Sequence, residues 1–298
     1  MLHCVTPRST FIDLTTILED LPMMPLLIDR KQLKRDMKGL LSSAQVSPRL
    51  MTALYLGLLL VLNLVNGLSG SSGLLSTFLS ILTSLLGMVL GAGFVLYCMA
   101  VRRGERAEFL TLFDGFSFVG KLISLTIIMY FFVALWTMLF VVPGIIAAYR
   151  YRFALYNLYE NPGIGVFDAL NMSKRQTYGY KGQLFLLDMS YLGWTLLASL
   201  PATIYNGMIY EQMLEETMAS MGAIPGMISA ASGGSGLAAM PFWAWTLLMG
   251  LWQIAVAVFY LPTYQCVELG YFEAAKSTSG IGSGVSGSRQ APDDLGGF

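Results

Sequence analysis

VVPGIIAAYRYRFALYNLYENP, residues 141–162, is the stretch on which the fold turns. It opens with Pro143 and Gly144 inside a strongly apolar region, and it then carries Arg150 and Arg152 in what still reads as a helix. If the stretch returns across a membrane, the chain has six crossings and buries two arginines. If it does not, the chain has five, and the arginines lie near a surface. The rest of the sequence is read outward from that choice.

The chain has 298 residues, 55% of them apolar and only 12% charged, with a mean hydropathy of +0.62. Soluble domains carry about a quarter charged residues, so this composition is that of a membrane protein. Lys plus Arg and Asp plus Glu are equal at 18 each, which leaves no net field to draw nucleic acid. Cys4, Cys98 and Cys266 lie far apart and suggest neither a disulfide framework nor a metal site. The single histidine, His3, cannot build a multi-histidine metal centre or a Ser-His or Cys-His pair. No catalytic residue, metal ligand or cofactor is therefore assigned, and an enzyme is not expected.

Five runs are long and apolar enough to span: Leu50–Leu68, Leu74–Val101, Leu122–Val142, Leu184–Tyr205 and Phe242–Leu261. Between and around them lie polar segments. Residues 1–49 lack the uninterrupted apolar stretch of a signal peptide, and 1–26 read as a disordered leader, largely non-native if translation begins at Met23 or Met24. Residues 29–42, which begin DRKQLKRDMKGLL, put Leu33, Met37, Leu40 and Leu41 on one helical face, a pattern that suits either a helix at the membrane surface or one packed on the bundle. Residues 206–240 contain no Lys or Arg but include Glu211, Glu215, Glu216 and a run of methionines, whose spacing fits an amphipathic surface helix better than a copper site. Residues 277–298 read as a disordered Gly/Ser tail, and the GxGxxG spacing of Gly282, Gly284 and Gly287 there lacks the flanking strand and helix of a dinucleotide fold.

Charge decides between five and six crossings. Short Lys/Arg-rich loops stay in the cytoplasm. With the basic amino-terminal segment inside, Arg102, Arg103 and Arg106 also fall inside after two crossings. With only five crossings, Lys174, Arg175 and Lys181 would lie outside and the acidic 206–240 segment inside, inverting the rule twice. If residues 145–160 cross back, both mismatches vanish. The expected fold is thus an all-α polytopic bundle of six transmembrane helices, five being the alternative, with both termini cytoplasmic and 27–276 forming the membrane domain. Pro143 and Gly144 then form the turn of a helical hairpin. The return helix is short, since Ile145–Tyr159 spans roughly 22 Å against a core of about 30 Å, and a re-entrant segment is the alternative.

A buried arginine needs a partner, because one at mid-membrane costs about 2.5–3.5 kcal/mol on insertion scales. Asp188 is the acidic residue well inside another span, and its depth matches that of Arg152. Arg150 and Arg152 differ by about 200° around a helix, so one carboxylate does not serve both. The trio Arg150, Arg152 and Asp188 is read either as a ligand site or as a structural clamp with snorkelling side chains. Glu268, beyond Pro262, is expected at a solvated helix end. Gly87 and Gly91 in GMVLGAGF mark a small-residue helix-packing face, and Trp136, Trp194, Trp243 and Trp245 are read as interface anchors or packing residues.

From residue 121 onward the order of motifs resembles a bacterial integral-membrane family known as domain of unknown function 975. The residues carrying the likeness are Leu135-Trp136, then Val142 to Ile146, Tyr151, Glu160-Asn161-Pro162, Asp168-Ala169, Ser173-Lys174, the stretch Phe185–Trp194 with Asp188, Ser190 and Gly193, and finally Pro262, Tyr264, Phe272 and Glu273. DRKQLKRDMKGLL is similar to that family's opening helix, so the likeness covers about residues 27–276. The Met-rich 206–240 insertion, the leader and the tail depart from it. The resemblance implies a six-helix bacterial membrane protein and no established activity. Two functions are carried forward. The first is a non-enzymatic interaction or lipid-organising component of the cytoplasmic membrane, with membrane lipids and a protein partner or second copy as its company. The second is a small transporter or permease using Arg150, Arg152 and Asp188.

Overall fold

The computed structural model describes residues 27–44, 46–68, 73–220 and 241–281, and these are helical apart from short connections. The leader 1–26, the glycine spacing and the tail from residue 282, and the later part of the methionine run with Met221 and Met227 lie outside the described residues. Among the described residues nine α-helices follow in order: α1 Arg30–Ser42, α2 Pro48–Leu68, α3 Leu74–Arg103, α4 Val119–Leu139, α5 Val141–Tyr151, α6 Ala154–Glu160, α7 Val166–Gln176, α8 Lys181–Ser220 and α9 Phe242–Ser279. Among the described residues five stretches are long and apolar enough to cross a membrane: Pro48–Leu68, Leu74–Arg103, Phe109–Leu139, Lys181–Gly207 and Trp243–Ser279. The chain is a multi-pass helical membrane protein.

The connector before α4 is itself helical. Phe109–Phe118 forms a 3-10 helix with Leu112, Gly115 and Phe118 buried and Leu110, Phe113 and Phe116 exposed. Runs of this kind longer than three or four residues are uncommon. The three-residue repeat of its apolar side chains matches 3-10 geometry and presses one face into α3. Contact there is close: a Cβ on Gly93 would sit 1.9 Å from the Leu112 carbonyl oxygen, and one on Gly115 would sit 2.6 Å from that of Val89. Gly87 and Gly91 face α2 at ordinary packing distances, 3.4 Å to Leu59 Cδ2 and 3.5 Å to the Tyr55 hydroxyl. The tightest glycine approach on α3 is therefore at Gly93.

The reversal after α4 is not at Pro143 and Gly144. Phe140 alone, in extended conformation with φ −159° and ψ 148°, separates α4 from α5. Pro143 sits in the first turn of α5, where backbone nitrogens have no intrahelical acceptor and proline is tolerated. Gly144 serves packing: a Cβ there would lie 2.1 Å from Thr137 Oγ1 and 2.8 Å from Thr137 Cα. The Phe132 and Tyr151 rings meet about two turns before and about three turns after Phe140, 6.0 Å apart, so α4 and α5 run antiparallel. The return is then broken at Arg152-Phe153, leaving two short helices of 11 and 7 residues.

One end of the bundle gathers the charges. Glu160, at the end of α6, accepts from Arg103 at 2.9 Å and from Lys276 at 2.5 Å. Lys121 at the start of α4 donates to the Pro162 carbonyl at 2.5 Å. Arg102 donates to Glu273 at 3.0 Å and to the Cys266 carbonyl at 2.9 Å, and Tyr97 donates to the Val46 carbonyl at 2.8 Å. The start of α2, the end of α3, the start of α4, the end of α6 and the end of α9 therefore share one end. α1 lies across it, with Met37 and Leu41 buried and Leu33 packed against Gly270 of α9. Toward the other end α8 and α9 pair antiparallel, Trp252 donating to the Leu197 carbonyl and the Tyr205 ring lying tilted against Trp245 at 4.8 Å.

A candidate site around Arg152

The break between α5 and α6 is held open by α7. Ser173 Oγ donates to the Arg150 carbonyl at 2.9 Å and accepts from the Phe153 amide at 3.1 Å. Thr177 Oγ1 donates to the same carbonyl at 3.2 Å. Two hydroxyls thus satisfy backbone groups that an unbroken helix would have paired internally. One turn on, the buried amides of Asn157 and Gln176 exchange two hydrogen bonds, at 2.8 and 2.9 Å. The connector α7 is consequently part of the core, with Ala169, Leu170, Ser173 and Gln176 buried.

At that break Arg152 turns toward α8 and α9. Its Nε donates to Glu268 Oε1 at 2.6 Å, Nη1 to Asp188 Oδ2 at 2.7 Å and Nη2 to Asp188 Oδ1 at 3.1 Å. Nη2 also reaches the Tyr264 hydroxyl. Tyr264 in turn donates to Asp188 Oδ1 at 2.8 Å, and Tyr149 donates to Asp188 Oδ2 at 2.7 Å. The guanidinium lies over the Tyr149 ring at 5.4 Å. Side-chain exposure is 22% for Arg152, 24% for Asp188 and 5% for Glu268, so the network is largely removed from solvent. The planar fork of arginine suits this bidentate arrangement, which a lysine could not reproduce.

The sequence-assigned trio is only partly assembled. Arg152 meets Asp188, while Arg150 lies off the network: among the described residues its guanidinium has no ion-pair partner, and its carbonyl is what α7 uses. Glu268 is not at a solvated helix end. It is 4% exposed and bound to Arg152, because α9 continues as helix through Pro262 to Ser279 and turns that residue inward. The signal was present in the spacing. Tyr264, Glu268, Tyr271, Phe272 and Ala275 recur on one helical stripe, and Glu268 occupies a core position in it. Of the tryptophans, Trp245 is buried against Tyr205, Trp194 stacks on Tyr260 at 6.1 Å, and Trp136 and Trp243 are exposed.

A single guanidinium between two carboxylates, locked by two tyrosine hydroxyls, joins three helices about two turns in from the charged end of a multi-pass helical membrane protein. That class is as far as fold and site go. Residues 138–277 match the model of a family described as protein of unknown function (DUF975). The match contains α5 with Arg152, Asp188 and Glu268, and it leaves out α1, α2, α3 and nearly all of α4. No curated protein and no solved structure matches the chain.

Proposed function

We propose that the chain is a non-enzymatic component of a bacterial cytoplasmic membrane that crosses six times, keeps both ends inside, and organises lipid or holds a partner at its charged face. The observation that carries this reading is the shared end of α2, α3, α4, α6 and α9. A chain whose first and last spanning helices have their polar ends together has made an even number of traverses. The segment 141–160 supplies the sixth as a broken return packed on α4, and irregular backbone at membrane depth is tolerated where protein buries it. Basic residues at an inner face attract anionic headgroups. The Arg152 network acts as a clamp, since its Nε and both Nη atoms already have acceptors. Purification in its native membrane lipids, followed by mass spectrometry of what stays bound, tests the reading. Reproducible co-purification of lipid or of one protein supports it, and stripping to bare protein under mild detergent counts against it.

A second reading, a small permease working through Arg152 and Asp188, draws support from the charge sum: two carboxylates against one guanidinium leave one negative charge uncompensated. If Asp188→Asn leaves uptake and efflux unchanged while the protein stays folded, that reading fails.

A further inference from the structure

A second cluster of cations lies outside the Arg152 network. Between α1 and the first turns of α8 is a cleft of about 700 Å³, lined by Arg30, Lys31 and Lys34 on one side and by Leu186, Ser190 and Tyr271 on the other. Arg30 donates to the Leu186 carbonyl at 2.8 Å. Lys34 donates to Ser190 Oγ at 2.9 Å and sits 4.1 Å over the Tyr191 ring. These contacts fix the two cations in place without neutralising them. Among the described residues none of Arg30, Lys31 and Lys34 has a carboxylate in an ion pair; Asp29, which also lines the cleft, caps α1 by accepting from the Lys31 amide at 2.9 Å and offsets only part of the positive charge. Partial burial and the Arg30 charge push the Lys34 ammonium below its ordinary range.

An independent observation points to the same place. Tyr271 lines the cleft, is fully buried, and its hydroxyl has no hydrogen-bond partner. Buried hydroxyls are nearly always paired, so an orphan beside incompletely compensated cations implies an absent acceptor. The outer wall completes the picture. Leu186 of α8 is an exposed apolar side chain in the cleft wall, and Phe185 and Met189 are exposed apolar side chains on the adjoining surface of the same apolar helix. Phosphate-binding groups at the head and an apolar ledge below match one kind of molecule.

We infer that the cleft between α1 and α8 binds the phosphate of an anionic phospholipid, with Arg30, Lys31 and Lys34 as counter-charges, Tyr271 as a neutral donor and Phe185, Leu186 and Met189 against the acyl chain. This rests on the lipid-organising reading above and gives it a site and a lipid class. Each cation near a membrane surface contributes about 1 kcal/mol toward anionic lipid, so losing two weakens binding by about tenfold or more.

The test titrates the detergent-purified full chain with phosphatidylglycerol and with phosphatidylcholine, counting bound lipid by native mass spectrometry. Arg30→Gln/Lys34→Gln is expected to lose phosphatidylglycerol at least about tenfold. Arg35→Gln/Lys38→Gln, which removes the same charge from α1 without touching the cleft, should weaken it much less, because neither side chain lines the cleft. Tyr271→Phe keeps the ring, so it should fold normally and still weaken binding. If both double variants lose binding equally, the attraction is diffuse and the site is overturned. The site alone falls if wild type prefers phosphatidylglycerol and the cleft variants keep that preference. Site and lipid-organising reading fall together if wild type does not distinguish the two lipids. Inorganic phosphate should not displace the lipid; complete displacement would make free phosphate the ligand and overturn the lipid assignment.

Discussion

Removing Arg152 separates a clamp from a working site. Arg152→Met deletes the one cation that, among the described residues, is bound to Asp188 and Glu268, and leaves two facing carboxylates, one of them 5% exposed on its side chain. Breaking a buried ion pair by taking one partner costs about 3–5 kcal/mol, because the remaining charge is left uncompensated. For a chain of this size that corresponds to a fall in melting temperature on the order of 10 °C, read by tryptophan fluorescence in detergent. The same physics predicts a rescue. Arg152→Met, Asp188→Leu and Glu268→Met together replace the network with apolar groups of similar volume, and such replacements are often neutral or stabilising. The triple variant should therefore recover most of the loss, with Arg152→Lys falling between because an ammonium cannot fork to both carboxylates. A single variant no worse than a surface change, about 0.5 kcal/mol, would refute the burial argument. A triple variant as unstable as the single would refute the clamp.

Two glycine comparisons test the packing. Gly93→Ala should destabilise by about 1–3 kcal/mol, since its Cβ meets backbone at 1.9 Å, while Gly87→Ala, with 3.4 Å to a flexible leucine, should stay within about 0.5 kcal/mol; equal effects would contradict the assignment of the close approach. In the hairpin, Gly144→Ala should cost about 1–3 kcal/mol and Pro143→Ala much less, because the first turn does not need the ring; the reverse order in thermal melts would return the reversal to Pro143 and Gly144.

What could be read from sequence follows from which signals are local. Runs of 20 apolar residues are local, so the five long spans stand close to where hydropathy puts them. The third began earlier than hydropathy suggested, because Phe109–Phe118 alternates polar and apolar residues on a three-residue repeat that reads as a loop until α3 is beside it. Proline and glycine are ambiguous punctuation. The same Pro143 that signals a turn is at ease in a first helical turn, and Gly144 was needed for Thr137, a contact seven residues away that only the folded hairpin creates. Glu268 was misread because a charge after Pro262 suggests the water side, whereas its partner lies 116 residues earlier in sequence. Asp188 was legible because it stood alone inside an apolar run. The cleft at α1 needed Tyr271 to be brought beside Arg30, and nothing in a linear pattern carries that.

Sidedness tests the account most directly. Single cysteines at Asn171, in α7, and at Ser232, in the 206–240 segment, would be placed in a chain lacking Cys4, Cys98 and Cys266, and probed with a membrane-impermeant thiol reagent in intact cells. Six crossings require position 171 to be protected and position 232 to be labelled. Labelling at 171 with protection at 232 would mean that residues 141–160 do not return, and the even count of traverses would be wrong.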